Sequence, residues 1–172
     1  MKKLEQLMDL YYRAMFDVQS IEWTIVGIIL DLRDKRGLIS SWDEYRKEQE
    51  EFQEKSHFGK LIGDLMHEKK EGTSVPIDID DLVEKIKTEI KDRRNHLAHK
   101  FAFHHHPDLI QDEQWHKSMG AGIEYLEKTL QVFWDFDMYL HGVGNKLGPG
   151  FFAREVGAAL EKQIERDKAD RS

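Results

Sequence analysis

Residues 2–34 read KKLEQLMDLYYRAMFDVQSIEWTIVGIILDLRD, and this stretch decides the fold class. Its apolar residues recur at spacings of three, four or seven: Leu4, Leu7, Met8, Tyr11, Met15, Val18, Ile25, Ile28 and Leu32. That spacing puts them on one face of a helix. The stretch therefore predicts a long amphipathic first helix from about Lys2 to Asp34.

The next part of the chain continues in the same way. Ser41-Trp42-Asp43-Glu44 is a capping-box pattern and predicts the start of a second helix, whose charged part, 45–55, we expect to be exposed. Ser56 is a candidate cap for a short apolar stretch over 58–66. A loop over 71–76 follows, and Asp78 then opens a further helix that reaches about Phe101.

Two more helices are predicted towards the C-terminus, over about 108–139 and 151–168, with Gly142, Gly144, Gly148 and Gly150 in a flexible joint between them. We find no strand-like alternation and no internal repeat. The sequence thus predicts an all-α fold, an antiparallel four-helix bundle with additional helices. We assign residues 1–146 to the bundle and 147–172 to a C-terminal helical extension.

Composition limits the class of protein. The 172 residues suit one domain, and the absence of cysteine excludes disulfides, thiolate zinc sites and a cysteine nucleophile. The N-terminus carries charges throughout, unlike a secretory signal. The most apolar run, from about Trp23 to Leu30, is far shorter than the ~20 residues that span a bilayer. We expect a cytoplasmic protein with no membrane association.

The charge of the chain is unevenly distributed. A formal net charge of −7 argues against a protein covered by nucleic acid. Residues 85–106 nevertheless hold six Lys or Arg, two Asp or Glu and five His. This island carries +4 before its histidines are counted, so the remainder of the chain sums to −11.

The centre of this basic island is the segment KDRRNHLAHKF, residues 91–101. On a helical wheel Leu82, Ile90, Leu97 and Phe101 fall within about 60° of Ile86 and form a core stripe. Asn95 lies about 180° from Ile86 and His99 about 140° away, so the two polar residues share the far face. A solvated polar face is the simplest interpretation, but Asn is a poor helix former in that position.

Arg94-Asn95-x-x-Ala98-His99, followed by Lys100 and Phe101, resembles the signature of the HEPN superfamily. In that signature an Arg is followed by a polar residue, often Asn, and then by a His four to six residues beyond the Arg. The resemblance is close over about eight residues and only architectural over about 2–139. The helix after Gly150 has no counterpart in it.

The resemblance implies a homodimer in which two motifs face each other as a metal-independent endoribonuclease of the toxin or defence type. His99 of the two copies would act as base and acid, Arg94 would hold the phosphate, and Asn95 would orient the His or the phosphate. Arg93, His96 and Lys100 are candidate substrate contacts, although each also suits an ordinary helix surface. RNA is the expected partner, and no metal or cofactor is required.

Two other functions remain open. Some proteins that resemble this family are non-catalytic interaction or nucleotide-binding modules, and some pair with a small nucleotidyltransferase that acts as antitoxin. The tract His104-His105-His106 could ligate a divalent metal, but three adjacent histidines in a loop rarely point at one ion.

Overall fold

The computed structural model describes residues 2–55, 57–71, 76–101 and 112–169. Within these ranges it contains six helices and no strand, which confirms the predicted all-α fold. None of the helices in these ranges has the length and apolar character that a membrane span needs. The helices are α1 (Lys2–Lys35), α2 (Trp42–Lys55), α3 (Phe58–Lys70), α4 (in three parts, Ile79–Lys85, Ile86–Lys91 and Asp92–His99), α5 (Asp112–Leu147) and α6 (Phe151–Ala169).

The first helix is the centre of the fold. It contacts α2, α3, α4 and α5, and it packs most extensively along α5. Its buried side includes Leu7, Ala14, Val18, Ile21, Ile25, Ile28 and Leu32. This side follows the predicted stripe except at Met8, which is 40% exposed because it lies at the edge of that face. The long first helix predicted from the sequence is therefore confirmed.

Side-chain contacts show how the helices run. Tyr11 stacks on Phe101, which in turn contacts Tyr125 early in α5, whereas Asp34 at the end of α1 binds Arg154 just beyond α5. The helices α1 and α5 therefore run in the same direction. Helix α4 is antiparallel to α5. Asp81 near its start accepts a hydrogen bond from the Tyr139 hydroxyl, and His96 near its end contacts Tyr125.

The predicted cap of α2 is present. The Ser41 Oγ accepts a hydrogen bond from the Glu44 N–H at 3.3 Å, and the Glu44 carboxylate accepts from the Ser40 N–H at 2.7 Å and from the Ser40 hydroxyl at 2.8 Å. These bonds lower the pKa of Glu44. The candidate cap Ser56 lies outside the described residues, and α3 starts after His57.

Helix α2 is less exposed than its charged sequence suggests. Phe52 is fully buried, at 1% exposure. The Lys60 Nζ lies 4.3 Å from the centre of its ring and the Arg33 guanidinium carbon 5.3 Å. One aromatic side chain among many charges thus fixes α2 to both α1 and α3, a contact that a charge count does not predict.

The predicted flexible joint between the last two helices is wrong in its first half. Gly142 and Gly144 lie inside α5, which continues to Leu147. The reason is that Leu140, Val143 and Leu147 are buried and extend the apolar stripe past both glycines. The helix ends where Gly148 adopts a φ of 74°, a left-handed conformation that favours glycine.

The start of α6 is anchored to the end of α1. Arg154 donates two hydrogen bonds to Asp34, at 2.6 and 2.7 Å. A Cβ on Gly150 would lie 1.6 Å from the Asp31 Oδ1, so the backbone and that carboxylate are in close contact. Phe151 also packs against Trp42 and Tyr45 of α2. The predicted final helix is therefore present, with a fixed N-terminal turn.

Candidate functional site

Helix α4 carries the motif and buries the side that the sequence indicates. Asp78 caps it by accepting a hydrogen bond from the Asp81 N–H at 3.1 Å. Its buried residues include Ile79, Leu82, Val83, Ile86, Ile90 and Leu97, and Phe101 directly beyond its end is also buried. The core stripe predicted from the helical wheel is confirmed.

The turn before the motif is a π-helix, Ile86–Lys91. Leu82, Ile86 and Ile90 are four residues apart, and on a regular α-helix such a row drifts by about 40° at each step. Hydrogen bonds from residue i to i+5 widen the turn between Ile86 and Ile90, and all three side chains are fully buried. Isolated π turns inside α-helices occur frequently at functional sites.

The motif residues on the far side of α4 are accessible. Asn95, Ala98 and His99 are exposed, whereas Arg94 is partly covered. Asn95 and His99 are four residues apart on one regular helical segment, Asp92–His99, so their side chains are neighbours on its surface. The site is thus an open helix face, not a part of the apolar interior.

A carboxylate from α1 holds Arg94. The Arg94 Nε lies 3.5 Å from the Glu22 Oε1, and the two side chains are 28% and 17% exposed. This distance is too long for a good N–H···O hydrogen bond, so we regard the contact as an ion pair. It links the motif to the central helix of the fold and limits the positions that the guanidinium can occupy.

Glu22 is an unusual partner because its surroundings disfavour the charged form of its carboxyl group. Burial raises its pKa, and the nearby Arg94 and His57 side chains only partly offset that effect. Its Oε1 is buried and has no hydrogen-bond partner within the described part of the chain. A carboxylate in this state interacts strongly with any positive group that approaches it.

The other candidate contacts lie around the motif in different environments. His96 is half-buried and packs on Tyr125, with ring centres 4.8 Å apart, and more distantly on Phe101 at 6.2 Å. Arg93 is half-buried on the flank of the helix, and Lys100 is exposed at its end. The Lys100 N–H donates to the His96 carbonyl at 2.9 Å. Of these three side chains, Lys100 is the most accessible to a ligand.

The metal-binding alternative rests on residues outside the described ranges. His104, His105 and His106 all lie there. Among the residues that are described, no three His, Asp or Glu side chains are grouped as a metal site.

Sequence reasoning missed the residues that position the motif from other helices. These are Glu22, Tyr11, whose hydroxyl donates to the Leu97 carbonyl at 3.4 Å, and Tyr125. Glu22 had a visible signal, because it is a lone acid directly before the most apolar run of α1. The two tyrosines had none, since aromatic residues on an apolar face are ordinary core residues.

No protein-family model, curated protein or solved structure matches this chain. What the chain does is therefore inferred from its own residues and their geometry.

Proposed function

We propose that this chain is a HEPN-like helical bundle and a metal-independent endoribonuclease whose site is completed by a second copy. One observation carries the proposal. An Arg, an Asn and a His in the order of the HEPN signature lie on an accessible helix face, and Arg94 is held from behind by Glu22. A solvated face needs no buried carboxylate to position one of its cations.

The chemistry follows from the functional groups. One His99 takes the proton from the RNA 2′-hydroxyl, and the 2′-oxygen attacks the adjacent phosphorus. The bond from phosphorus to the 5′-oxygen breaks, and the second His99 protonates that leaving oxygen. Arg94 stabilises the negative charge on the phosphorane. The products are a 2′,3′-cyclic phosphate and a 5′-hydroxyl, so two histidines are needed and a single chain supplies one at this site.

A surface for the second copy lies beside the motif. Four large apolar side chains of α1 are strongly exposed: Met8 at 40%, Tyr12 at 64%, Phe16 at 71% and Trp23 at 45%. Trp23 follows Glu22, and the Tyr12 ring packs against Tyr11, which contacts the end of α4. We propose that this apolar surface, the α1 face, pairs with itself across a twofold axis and brings the two motifs together.

Charge supports a local RNA contact more than a general one. The island over 85–106 is the basic part of an acidic chain, so phosphate attraction is concentrated at the motif. We propose RNA as the substrate, and a cytoplasmic location in keeping with the absence of cysteine.

The test is RNA cleavage by the purified chain in EDTA. We expect cleavage with cyclic-phosphate ends, and we expect His99→Ala to lower the rate at least a hundredfold without changing the melting temperature. His141→Ala is the matched control, because that histidine is also exposed, at 66%, and its ion-pair partner in the described part of the chain is Asp137 of the same helix. A dimeric wild-type chain that cleaves no RNA would contradict the proposal.

Two observations favour a second function. Arg94 is already paired, and the chain as a whole is acidic. Both facts suit a non-catalytic interaction or nucleotide-binding module regulated by a nucleotidyltransferase partner. This alternative predicts a dimer that binds such a protein or a nucleotide, and in which His99→Ala alters binding while no RNA is cleaved at any concentration.

A further inference from the structure

The last described helix has an apolar side that is largely uncovered, although Phe152 at its start contacts Trp42 and Tyr45 of α2. Phe151 is buried at 5% exposure, but all later residues of α6 up to 168 are exposed except Gly157, which is half-exposed. The exposed residues include Phe152 at 53%, Val156 at 37%, Leu160 at 59% and Ile164 at 52%. They follow each other at steps of four residues, and we call them the α6 row.

An uncovered helix of this kind needs a partner. A lone helix of 19 residues is only marginally stable in water, and most helix stability in proteins comes from packing an apolar face. Here the first turn is fixed by the Arg154–Asp34 pair and by Phe151, so the remainder of α6 projects from a rigid base. Four large apolar side chains in one row are more than an ordinary solvent-facing helix carries.

We propose that the α6 row packs against the α6 row of a second copy across a twofold axis. Side chains at steps of four form the ridge that interdigitates in the commonest class of helix pair, with axes crossing at about −50°. Three of the positions beside the ridge, Ala153, Gly157 and Ala159, are small, and the others are polar or charged. One helix therefore offers both a ridge and shallow grooves, which is the requirement for a surface that is complementary to itself.

Charge also favours a second copy over other occupants. Helix α6 has four basic residues, Arg154, Lys162, Arg166 and Lys168, and four acidic ones, Glu155, Glu161, Glu165 and Asp167. They balance, so the whole net charge of −7 lies outside this helix. Two acidic copies repel each other least where they meet through α6, whereas a basic partner would be attracted to the other surfaces.

The base of the row has room for a partner side chain. A groove of about 380 Å³ lies between Trp42 and α6 and is lined by Val156, Ala159 and Leu160 among others. Trp42 is itself 37% exposed. A large apolar side chain of the second helix entering this groove would extend the contact from α6 to α2.

This contact is separate from the proposed ribonuclease dimer. The α6 row starts beside the end of α1, where Arg154 binds Asp34, whereas α4 contacts α1 at Tyr11 and Glu22, in the first two thirds of that helix. We expect the two surfaces to join different pairs of copies, so that four chains assemble when both contacts form with their twofold axes at right angles.

The test measures the particle mass of the full chain by sedimentation or light scattering. Leu160→Glu should halve the mass, whether or not the α1 face also pairs, and should leave the circular dichroism of the helices unchanged. Arg166→Gln is the control, because it makes the same change of charge at an exposed position of α6 that lies outside both the row and the groove. An unchanged mass for Leu160→Glu would overturn the proposal.

Because the chain has no cysteine, cross-linking shows what the row touches. Leu160→Cys should form a disulfide-linked pair of chains under mild oxidation, since its partner residue lies near the twofold axis, whereas Glu165→Cys on the far side should not. If Leu160→Glu lowers the mass but neither Val156→Cys nor Leu160→Cys cross-links, α6 packs on another surface and the self-pairing is wrong. The Leu160→Glu variant should cleave RNA as the wild-type chain does, because the α6 contact is not part of the proposed ribonuclease site. This measurement therefore distinguishes a failure of the α6 proposal from a failure of the ribonuclease proposal.

Discussion

Glu68 and Glu22 both contact arginines, but the number and the distance of their partners differ. Glu68 is 1% exposed and accepts hydrogen bonds from Arg36 at 2.7 Å and from Arg33 at 3.1 Å. The same arginines also bind Glu48, Asp64 and Glu71. Glu22 has one arginine at 3.5 Å and a pKa raised by burial. The first is a saturated network, and the second is a loose pair.

The difference shows which arginine is available for chemistry. Arg33 and Arg36 have several acidic partners and hold α1 to α2 and α3. Glu22 reaches Arg94 through Nε, so this contact does not use the two Nη groups that can form a fork on a phosphate. An arginine that is oriented but not saturated is what a phosphate-binding site needs. The region around Glu68, by contrast, is built for stability.

The largest effect is expected at Glu68. Glu68→Ala leaves two partly buried guanidinium groups without their shared, fully buried carboxylate, which should lower the free energy of unfolding by about 3–5 kcal/mol. Urea denaturation measures this change. Glu71→Ala is the control, since Glu71 is 45% exposed and its pair with Arg36 should contribute less than about 1 kcal/mol. Equal losses in the free energy of unfolding for the two variants would show that Glu68 contributes no more to stability than an exposed ion pair does.

The next effect tests the joint between α5 and α6. Gly150→Ala puts a Cβ 1.6 Å from the Asp31 Oδ1, so backbone or carboxylate must move. We expect a loss of about 1–3 kcal/mol in the free energy of unfolding. Gly142→Ala, with nothing within 4 Å inside α5, should instead stabilise the chain by up to about 1 kcal/mol. Opposite signs for the two alanines in thermal denaturation would establish the close contact.

Asp31 adds a pH dependence at the same joint. Burial and the neighbouring Asp34 raise its pKa from 3.8 to about 6, against the attraction of Lys35 and Arg154. The folded chain therefore holds this proton more tightly than the unfolded chain does. The cost of the charged form is present in full above pH 6 and disappears as the pH falls towards 3.8.

Asp31→Asn removes that cost. The rise in pKa corresponds to at most about 3 kcal/mol, and partial exposure of the side chain reduces the expected gain to about 1 kcal/mol at pH 7.5. Denaturation of both chains across pH 4–8 checks the prediction, and the gain should vanish near pH 4. A gain that is independent of pH would show that Asp31 does not carry this proton.

The smallest effect on stability is expected at the motif. Glu22→Gln gives up the attraction to Arg94 but also removes a charge that burial disfavours. The two changes oppose each other, so the free energy of unfolding should change by less than about 1 kcal/mol. RNA cleavage should fall about tenfold, because Arg94 loses its support. A destabilisation as large as that of Glu68→Ala would place Glu22 with the structural network.

The sequence predicted what depends on local patterns. The apolar stripe of α1, the Ser41–Glu44 cap and the Asp78 cap each follow from spacing alone, and each is confirmed. The sequence did not predict the burial of Phe52, because the side chains that lie over its ring, Arg33 and Lys60, come from two other helices. Gly142 and Gly144 were misleading, since buried residues on either side outweigh the low helix propensity of glycine.

The candidate site divides in the same way. The shared exposed face of Asn95 and His99 follows from their spacing in the sequence. The pairing of Arg94 with Glu22 joins residues 72 positions apart and depends on how α4 packs against α1. Contacts of that length have no local signature, so the support for the motif became visible only in the folded chain.

The π turn at Ile86–Lys91 holds one residue more than a regular α-helix that keeps the same core contacts on both sides. Deleting a single exposed residue there, such as Thr88, would let the turn close to regular α geometry, and the residues before and after it would keep their present faces. The helix can therefore lose one codon at this turn without turning Asn95 and His99 away from the face that they share.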